Sequence, residues 1–337
     1  MSNIEKAVSE YNNPFIVNRA DPYIVKGPDG FYYFTASYPM FGPDDKSGYD
    51  RVVLRRSETL EGLADAEEVT IWDEEDSEKC HCFVWAPEMH YIGGKWYVFM
   101  SASRLPDFVW EIQCNVLMCE GQDPINDKWV EMGVVQPLPE DDFSFKWFSL
   151  DMTYFECKGN HYLIWAQKDP IGISTLYMAS IDEKEPWKLT SMPMELTRPE
   201  YDWEKVRFAV NEGPSVLKAN GKVFVCFSAA GTGVEYCVGV ISADEDANLL
   251  DKSSWTKSDK PLLTSDDLYQ EYGPGHNSFT TDENGDFVFV YHARSQECFE
   301  EKCGYTGDPL FDPCRHARLR KVLWASDGMP ILNGVPR

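Results

Sequence analysis

One short pattern returns five times along this chain: a glycine turn followed by a strand of alternating aromatic and small residues. It reads G-F-Y-Y-F-T-A-S from Gly30, G-K-W-Y-V-F-M-S-A from Gly94, G-N-H-Y-L-I-W-A from Gly159, G-K-V-F-V-C-F-S-A from Gly221 and G-D-F-V-F-V-Y-H-A from Gly285. Successive glycines lie 64, 65, 62 and 64 residues apart. So regular a period marks a repeat architecture, whose units bury their apolar faces only against one another. Upstream of each glycine runs a short apolar stretch (Tyr23 to Lys26, Met89 to Ile92, Thr153 to Cys157, Ser215 to Lys218, Ser278 to Thr281), which the turn joins to the aromatic strand as a hairpin. A third strand follows at Val52 to Ser57, Asn115 to Glu120, Thr175 to Ile181, Tyr236 to Ser242 and Arg318 to Trp324, and a fourth at stretches such as Glu68 to Trp72 and Lys128 to Met132. Four antiparallel strands per repeat, five times over, predict an all-β, five-bladed β-propeller. At about 64 residues per blade the repeats take up nearly all of the 337 residues, so residues 1–337 are expected to form a single domain.

Composition narrows the partners. The 31 basic and 56 acidic residues leave a net charge of −25, which repels nucleic acid and anionic lipid and suits a neutral ligand. No stretch approaches the apolar length of a membrane span. The polar opening, Met1 to Asn13, has no apolar core of the signal-peptide kind, so the chain is expected to be cytoplasmic and its ten cysteines to be mostly reduced thiols.

In a propeller the first strand of each blade lines the central channel. Nine residues before each turn glycine stand Asp21, Trp85, Leu150, Glu212 and His276, and a one-residue offset in the third blade puts Asp151 in place of Leu150. Three carboxylates converging on one channel lose hydration and repel one another, which raises carboxyl pKa values. Folding has no use for that arrangement, whereas acid–base catalysis does. Glycoside hydrolysis in particular requires one protonated carboxyl to donate to the leaving oxygen and one ionised carboxylate as base or nucleophile.

The residues around these positions resemble glycoside hydrolase family 43. The motifs are R-A-D-P-Y at Arg19 to Tyr23, W-A-P-E at Trp85 to Glu88, S-L-D-M-T at Ser149 to Thr153, N-E-G-P at Asn211 to Pro214, G-P-G-H-N-S at Gly273 to Ser278 and Y-H-A-R at Tyr291 to Arg294. The resemblance covers all five blades and implies an inverting hydrolase. It makes Asp21 the general base, Glu212 the general acid and Asp151 the residue that raises and orients Glu212. It implies substrate contacts from Trp85, Arg294, Asn211 and Phe34. The chemistry requires no cofactor, and His276 would hold a structural calcium ion through water at the channel centre, although calcium prefers oxygen ligands.

Within the family, the absence of an added C-terminal β-sandwich and the stretches Tyr49 to Arg56 and Gly307 to Arg318 are similar to the single-domain, exo-acting α-L-arabinofuranosidase branch. The expected partner is therefore an arabinose- or xylose-containing oligosaccharide, with β-xylosidase and endo-arabinanase as neighbouring activities. Other readings are a retaining, fructan-type enzyme on a related propeller, a glycoside phosphorylase, and a non-catalytic glycan-binding propeller. The acid set argues against the last two. The run Cys298, Cys303, Cys314, His316 reads as reduced thiols in a blade-five insertion rather than a zinc site. The loops Pro39 to Gly48 and Leu105 to Glu111 are expected to wall the pocket.

Overall fold

The computed structural model describes residues 9–41, 48–106 and 108–334. Five antiparallel sheets follow one another along the chain. The first blade is β1 (Ala20–Lys26), β2 (Tyr32–Ser37), β3 (Arg51–Ser57) and β4 (Glu68–Asp73); the second is β5 (His81–Ile92), β6 (Lys95–Ser103), β7 (Ile112–Cys119) and β8 (Trp129–Val134). The third is β9 (Ser149–Cys157), β10 (Asn160–Lys168), β11 (Ser174–Ile181) and β12 (Met194–Thr197); the fourth is β13 (Asn211–Ala219), β14 (Lys222–Ala229), β15 (Cys237–Asp244) and β16 (Thr256–Lys257). The fifth, β17 (Glu271–Thr281), β18 (Phe287–Ser295) and β19 (Arg315–Lys321), has three strands of its own, followed by a small β20 (Leu323–Trp324) and β21 (Pro330–Ile331) hairpin.

The place of a fourth strand in the last blade is taken by the start of the chain. Ile16 bridges Ala317 antiparallel, the amides of Phe15 and Ala317 bond across the seam at 2.8 and 2.9 Å, and the Asn13 side chain both donates to and accepts from the Leu319 backbone. The ring is thus fastened across blade five by residues near its start, leaving no open edge at β19.

The core is divided as a propeller requires. Tyr33, Val52 and Trp72 of blade one meet Met89, Trp96 and Val98 of blade two in one buried cluster. Tyr97 and Phe99 meet Leu163 and Trp165 in the next. Phe224 and Cys226 pack on Phe289 and Tyr291. The seam between blades one and five joins Ile24, Tyr32 and Phe34 to Val288, Val290 and Leu319.

Each first strand carries the same irregularity. The pairings skip between Ala20 and Tyr23, Trp85 and Glu88, Leu150 and Thr153, Glu212 and Ser215, and Gly275 and Ser278. At each skip two residues face one on the second strand, a β-bulge, and the first of the two is left-handed: Asp21, Ala86, Asp151, Gly213 and His276, with φ between 42° and 55°. This corrects the register read from glycine spacing. Asp151 is not displaced; Trp85 and Glu212 are, each lying one residue ahead of the bulge.

Candidate active site

The bulges explain how acids far apart in sequence meet. A left-handed residue re-aims its side chain, and non-glycine residues adopt that conformation only where the surroundings over-determine it. Here the surroundings are a ring of acceptors at one position of every second strand but one. Ser37 Oγ accepts the Ala86 amide (2.9 Å), Ser101 Oγ that of Asp151 (3.1 Å), Ser228 Oγ that of His276 (2.6 Å) and His292 Nδ1 that of Asp21 (3.1 Å). The third blade has Ala166 at this position, which offers no acceptor. The Gly213 amide instead donates to Asp151 Oδ2 at 3.0 Å, tying that carboxylate to the residue after Glu212.

Asp21 is buried among cations and donors. Ser37 Oγ donates to its Oδ2 at 2.6 Å, and its Oδ1 lies 3.3 Å from His276 Nδ1, 3.3 Å from His292 Nδ1 and 3.5 Å from Arg315 Nη1. Burial alone would raise its pKa, but His276, Arg315 and His292 outweigh it and hold Asp21 well below the ordinary carboxylate value. Asp151 is the opposite case. Burial, with the charges of Glu212 and Asp21 beyond the relief from His276, pushes it up to about 7. Glu212 is raised as well, first by burial, against the Tyr236 hydroxyl that donates to its Oε1 at 2.8 Å and the charge of Lys168. Burial thus favours the protonated forms of Asp151 and Glu212 as a coupled pair, while the charges around Asp21 favour its ionised form.

The residues expected from sequence divide on this geometry. Asp21, Asp151, Glu212 and His276 come together. Phe34 does not: it is wholly buried in the apolar seam between blades five and one, because alternation along β2 turns it away from the channel. Asn211 is also fully buried. Its amide donates to Glu204 Oε1 at 2.9 Å, and as the strand neighbour of Glu212 it faces the other way. Both are sealed from solvent. Arg294 sits 3.9 Å from Asp312 and not on Asp21, whose guanidinium partner is Arg315. Trp85 is 8% exposed and packs edge-on against Phe83 (5.4 Å) and Tyr49 (5.9 Å), within an aromatic wall completed by Phe311.

Sequence reading missed Arg315, His292, Tyr236 and Ser37. His292 and Ser37 were within reach, since both stand seven residues after a turn glycine; Arg315 opens a third strand and Tyr236 stands just before one, where the repeat gives no sign of which side chains turn towards the acids.

A calcium ion at His276, held through water as the resemblance implies, would have one imidazole and few protein oxygens around it. The protein oxygens beside the ring belong to Asp21 and Asp151, and Asp21 is already engaged by Ser37 and Arg315. Burial disfavours the imidazolium, yet the charges of Asp21, Asp151 and Glu212 overcome this and raise the His276 pKa.

A cleft of about 480 Å³ is lined by Phe148, Trp110, Trp147 and Lys168, whose charge acts on Glu212, although none of the three acids lines it; the two tryptophans are largely exposed. Trp110 and Phe108 belong to the expected wall loop Leu105 to Glu111, of which residue 107 lies outside the described residues, as do residues 42–47 of the other loop.

A carboxylate trio split into one ionised and two protonated-prone groups, at the bulged inner strands of a five-bladed propeller, defines the class: propeller enzymes working by carboxylate acid–base chemistry. The chain belongs to the glycosyl hydrolases family 43, whose sequence model matches residues 11–330. It is 42% identical over 97% of its length to an extracellular exo-α-(1→5)-L-arabinofuranosidase of Streptomyces avermitilis, and spans 63% of that protein. A relative of the same description from Streptomyces chartreusis is 44% identical over 84% of this chain and 82% of its own. The crystal structure of α-L-arabinofuranosidase from Lactobacillus brevis superposes with a TM-score of 0.85 at 41% identity, covering 97% of this chain and 98% of that one.

These relatives overturn the cytoplasmic expectation: both Streptomyces proteins are named extracellular. None of the ten cysteines is paired in a disulfide, and seven are buried, where packing shields a thiol in any compartment, so the thiols do not report location.

Proposed function

We propose that this chain is an inverting, exo-acting α-L-arabinofuranosidase that releases terminal arabinose from arabino-oligosaccharides. The observation that carries the chemistry is the split among the three carboxyls. Asp21, kept ionised, takes a proton from the attacking water. Glu212, kept protonated by burial next to Asp151, donates to the departing glycosidic oxygen. Asp151, fixed by the Gly213 amide, raises and orients Glu212; after product leaves, Asp21 gives its proton up to solvent water and Glu212 takes one back from it, which resets both groups. Inversion requires the acid and base to stand ~6.5–9.5 Å apart, with water between base and sugar.

The names of relatives 41–44% identical support arabinose as the sugar. The exposed tryptophans of the cleft offer flat apolar faces of the kind sugar rings stack on. The test is incubation with short α-1,5-arabino-oligosaccharides and matched xylo-oligosaccharides, with proton NMR of the first sugar formed. Free L-arabinose appearing as the inverted anomer is expected. Xylose release without arabinose, or a retained anomer, overturns the proposal.

A further inference from the structure

Between β18 and β19 the chain makes an excursion that the fold does not need for its sheet. It opens with α1 (Gln296–Phe299), closed by paired bonds from the Glu301 amide to Cys298 O (3.0 Å) and from the Lys302 amide to Glu297 O (2.8 Å), with Glu301 left-handed at φ 59°. That reversal folds the turn back on itself. Cys298 and Cys303 thereby come within side-chain hydrogen-bonding reach. From the other end of the excursion, Asp312 and Cys314 are brought to the same place. The donor atoms of Cys303, Asp312 and Cys314 all lie within 4.8 Å of one another, as do those of Cys298, Cys314 and His316. Cys314 belongs to both groups, so the three sulfurs gather around it.

We propose that Cys298, Cys303, Cys314 and Asp312 form a binding site for one thiophilic divalent cation of the zinc class. Three thiolates and a carboxylate are a four-donor set that zinc accepts in tetrahedral geometry, and the Cys298-x4-Cys303 spacing falls within the range of structural knuckles. His316 is excluded as a ligand by its hydrogen bond. Its Nδ1 accepts the Asn18 amide at 2.9 Å, so its proton sits on Nε2, from which it can only donate to a neighbouring thiolate. Asp312 is already oriented towards the sulfurs. Its Oδ1 accepts the Cys314 amide at 2.8 Å, and Arg294 stands 3.9 Å from its Oδ2. Arg294 and Arg315 supply positive charge beside a cluster that becomes strongly negative once its thiols ionise. A cavity of about 280 Å³ opens onto Cys298 and Asp312, and Cys303 is exposed, so a hydrated cation has a way in. Binding exchanges three thiol protons, released to solvent, for the metal.

The site also has a position that matters. Cys314 immediately precedes Arg315, the first residue of β19, and extended backbone sends neighbouring side chains to opposite faces. A cation gripping Cys314 on one side fixes the backbone that places the Arg315 guanidinium 3.5 Å from Asp21 on the other.

The test uses the full chain, purified under a non-thiol reductant, loaded with zinc or cadmium and desalted. Elemental analysis is expected to find about one ion per chain, and cadmium to give the ultraviolet charge-transfer band of thiolate ligation. Cys303→Ser, in the exposed turn, is expected to weaken binding by roughly tenfold or more, and Cys298→Ser with Cys314→Ser to abolish it, while Cys82→Ser leaves it unchanged. Absence of a retained ion in the reduced chain overturns the proposal. So does retention unaffected by Cys303→Ser, and so does a Cys298–Cys314 disulfide that persists under reductant.

Discussion

At the residue scale, the acceptor ring makes a prediction that the carboxylates alone do not. Ala166 is the one second-strand position of the five without an acceptor, and for that reason the Gly213 amide turns to Asp151. Ala166→Ser restores the hydroxyl present at Ser37, Ser101 and Ser228 and offers that amide another partner. Asp151 then loses its tie to the residue beside Glu212. The turnover number is expected to fall by roughly tenfold, a fraction of the ~10²–10⁴ that positioned acid–base groups supply. The limb of the pH–rate profile that reports the Asp151–Glu212 pair should shift, with the melting temperature nearly unchanged. An unaltered profile would mean that the Gly213 bond does not position the pair. Glu212→Ala tests the acid itself: turnover of arabino-oligosaccharides should drop ~10²–10⁴-fold, while aryl arabinosides with good leaving groups retain most of theirs. Equal loss on both substrates would deny Glu212 that role.

At the scale of the element, the blades were legible in the sequence because their signal is local and repeated. Turn glycines and alternating aromatics recur every 62 to 65 residues, and the strands fall where those runs stand. The bulges were not legible, because a two-for-one pairing leaves no mark in hydrophobic alternation. The count of nine residues therefore found the acids while misassigning the offset to Asp151. Phe34 shows the same limit: its place in an aromatic strand was visible, but which face of β2 it occupies depends on the neighbouring blade. The third strand of blade five begins at Arg315, three residues before the expected Arg318, since an arginine paired to a buried carboxylate is indistinguishable in sequence from a solvated one. The corrected role of Phe34 is testable. Phe34→Ala should cost about 3–5 kcal/mol of stability, as for other buried large-to-small changes, and leave KM of the folded fraction unchanged. A raised KM at unaltered stability would restore Phe34 to the substrate.

For the molecule as a whole, the channel sets how stability depends on pH. Asp151 has an unfolded value near 3.8 and a folded value of about 7, so between these limits the folded state binds more protons than the unfolded one. Stability from this group is therefore greatest below the unfolded pKa and falls as pH rises through the window, by on the order of 4 kcal/mol at most. Asp21 runs the other way. Its depressed pKa gives stability that is present above 3.8 and lost only as pH falls below that value. Together the two place the most stable condition on the acid side of neutrality, above the Asp21 loss and below the full Asp151 cost. Asp151→Asn removes the titration while its amide oxygen still accepts the Gly213 N–H. The variant should thus melt higher than the parent at about pH 8, with the difference shrinking towards about pH 4, and be nearly inactive at both. That combination, greater stability with lost turnover, is what a carboxyl held at the site for chemistry against the interests of folding must show; an equal offset at the two pH values would mean that Asp151 is ionised throughout and that burial does not hold its proton.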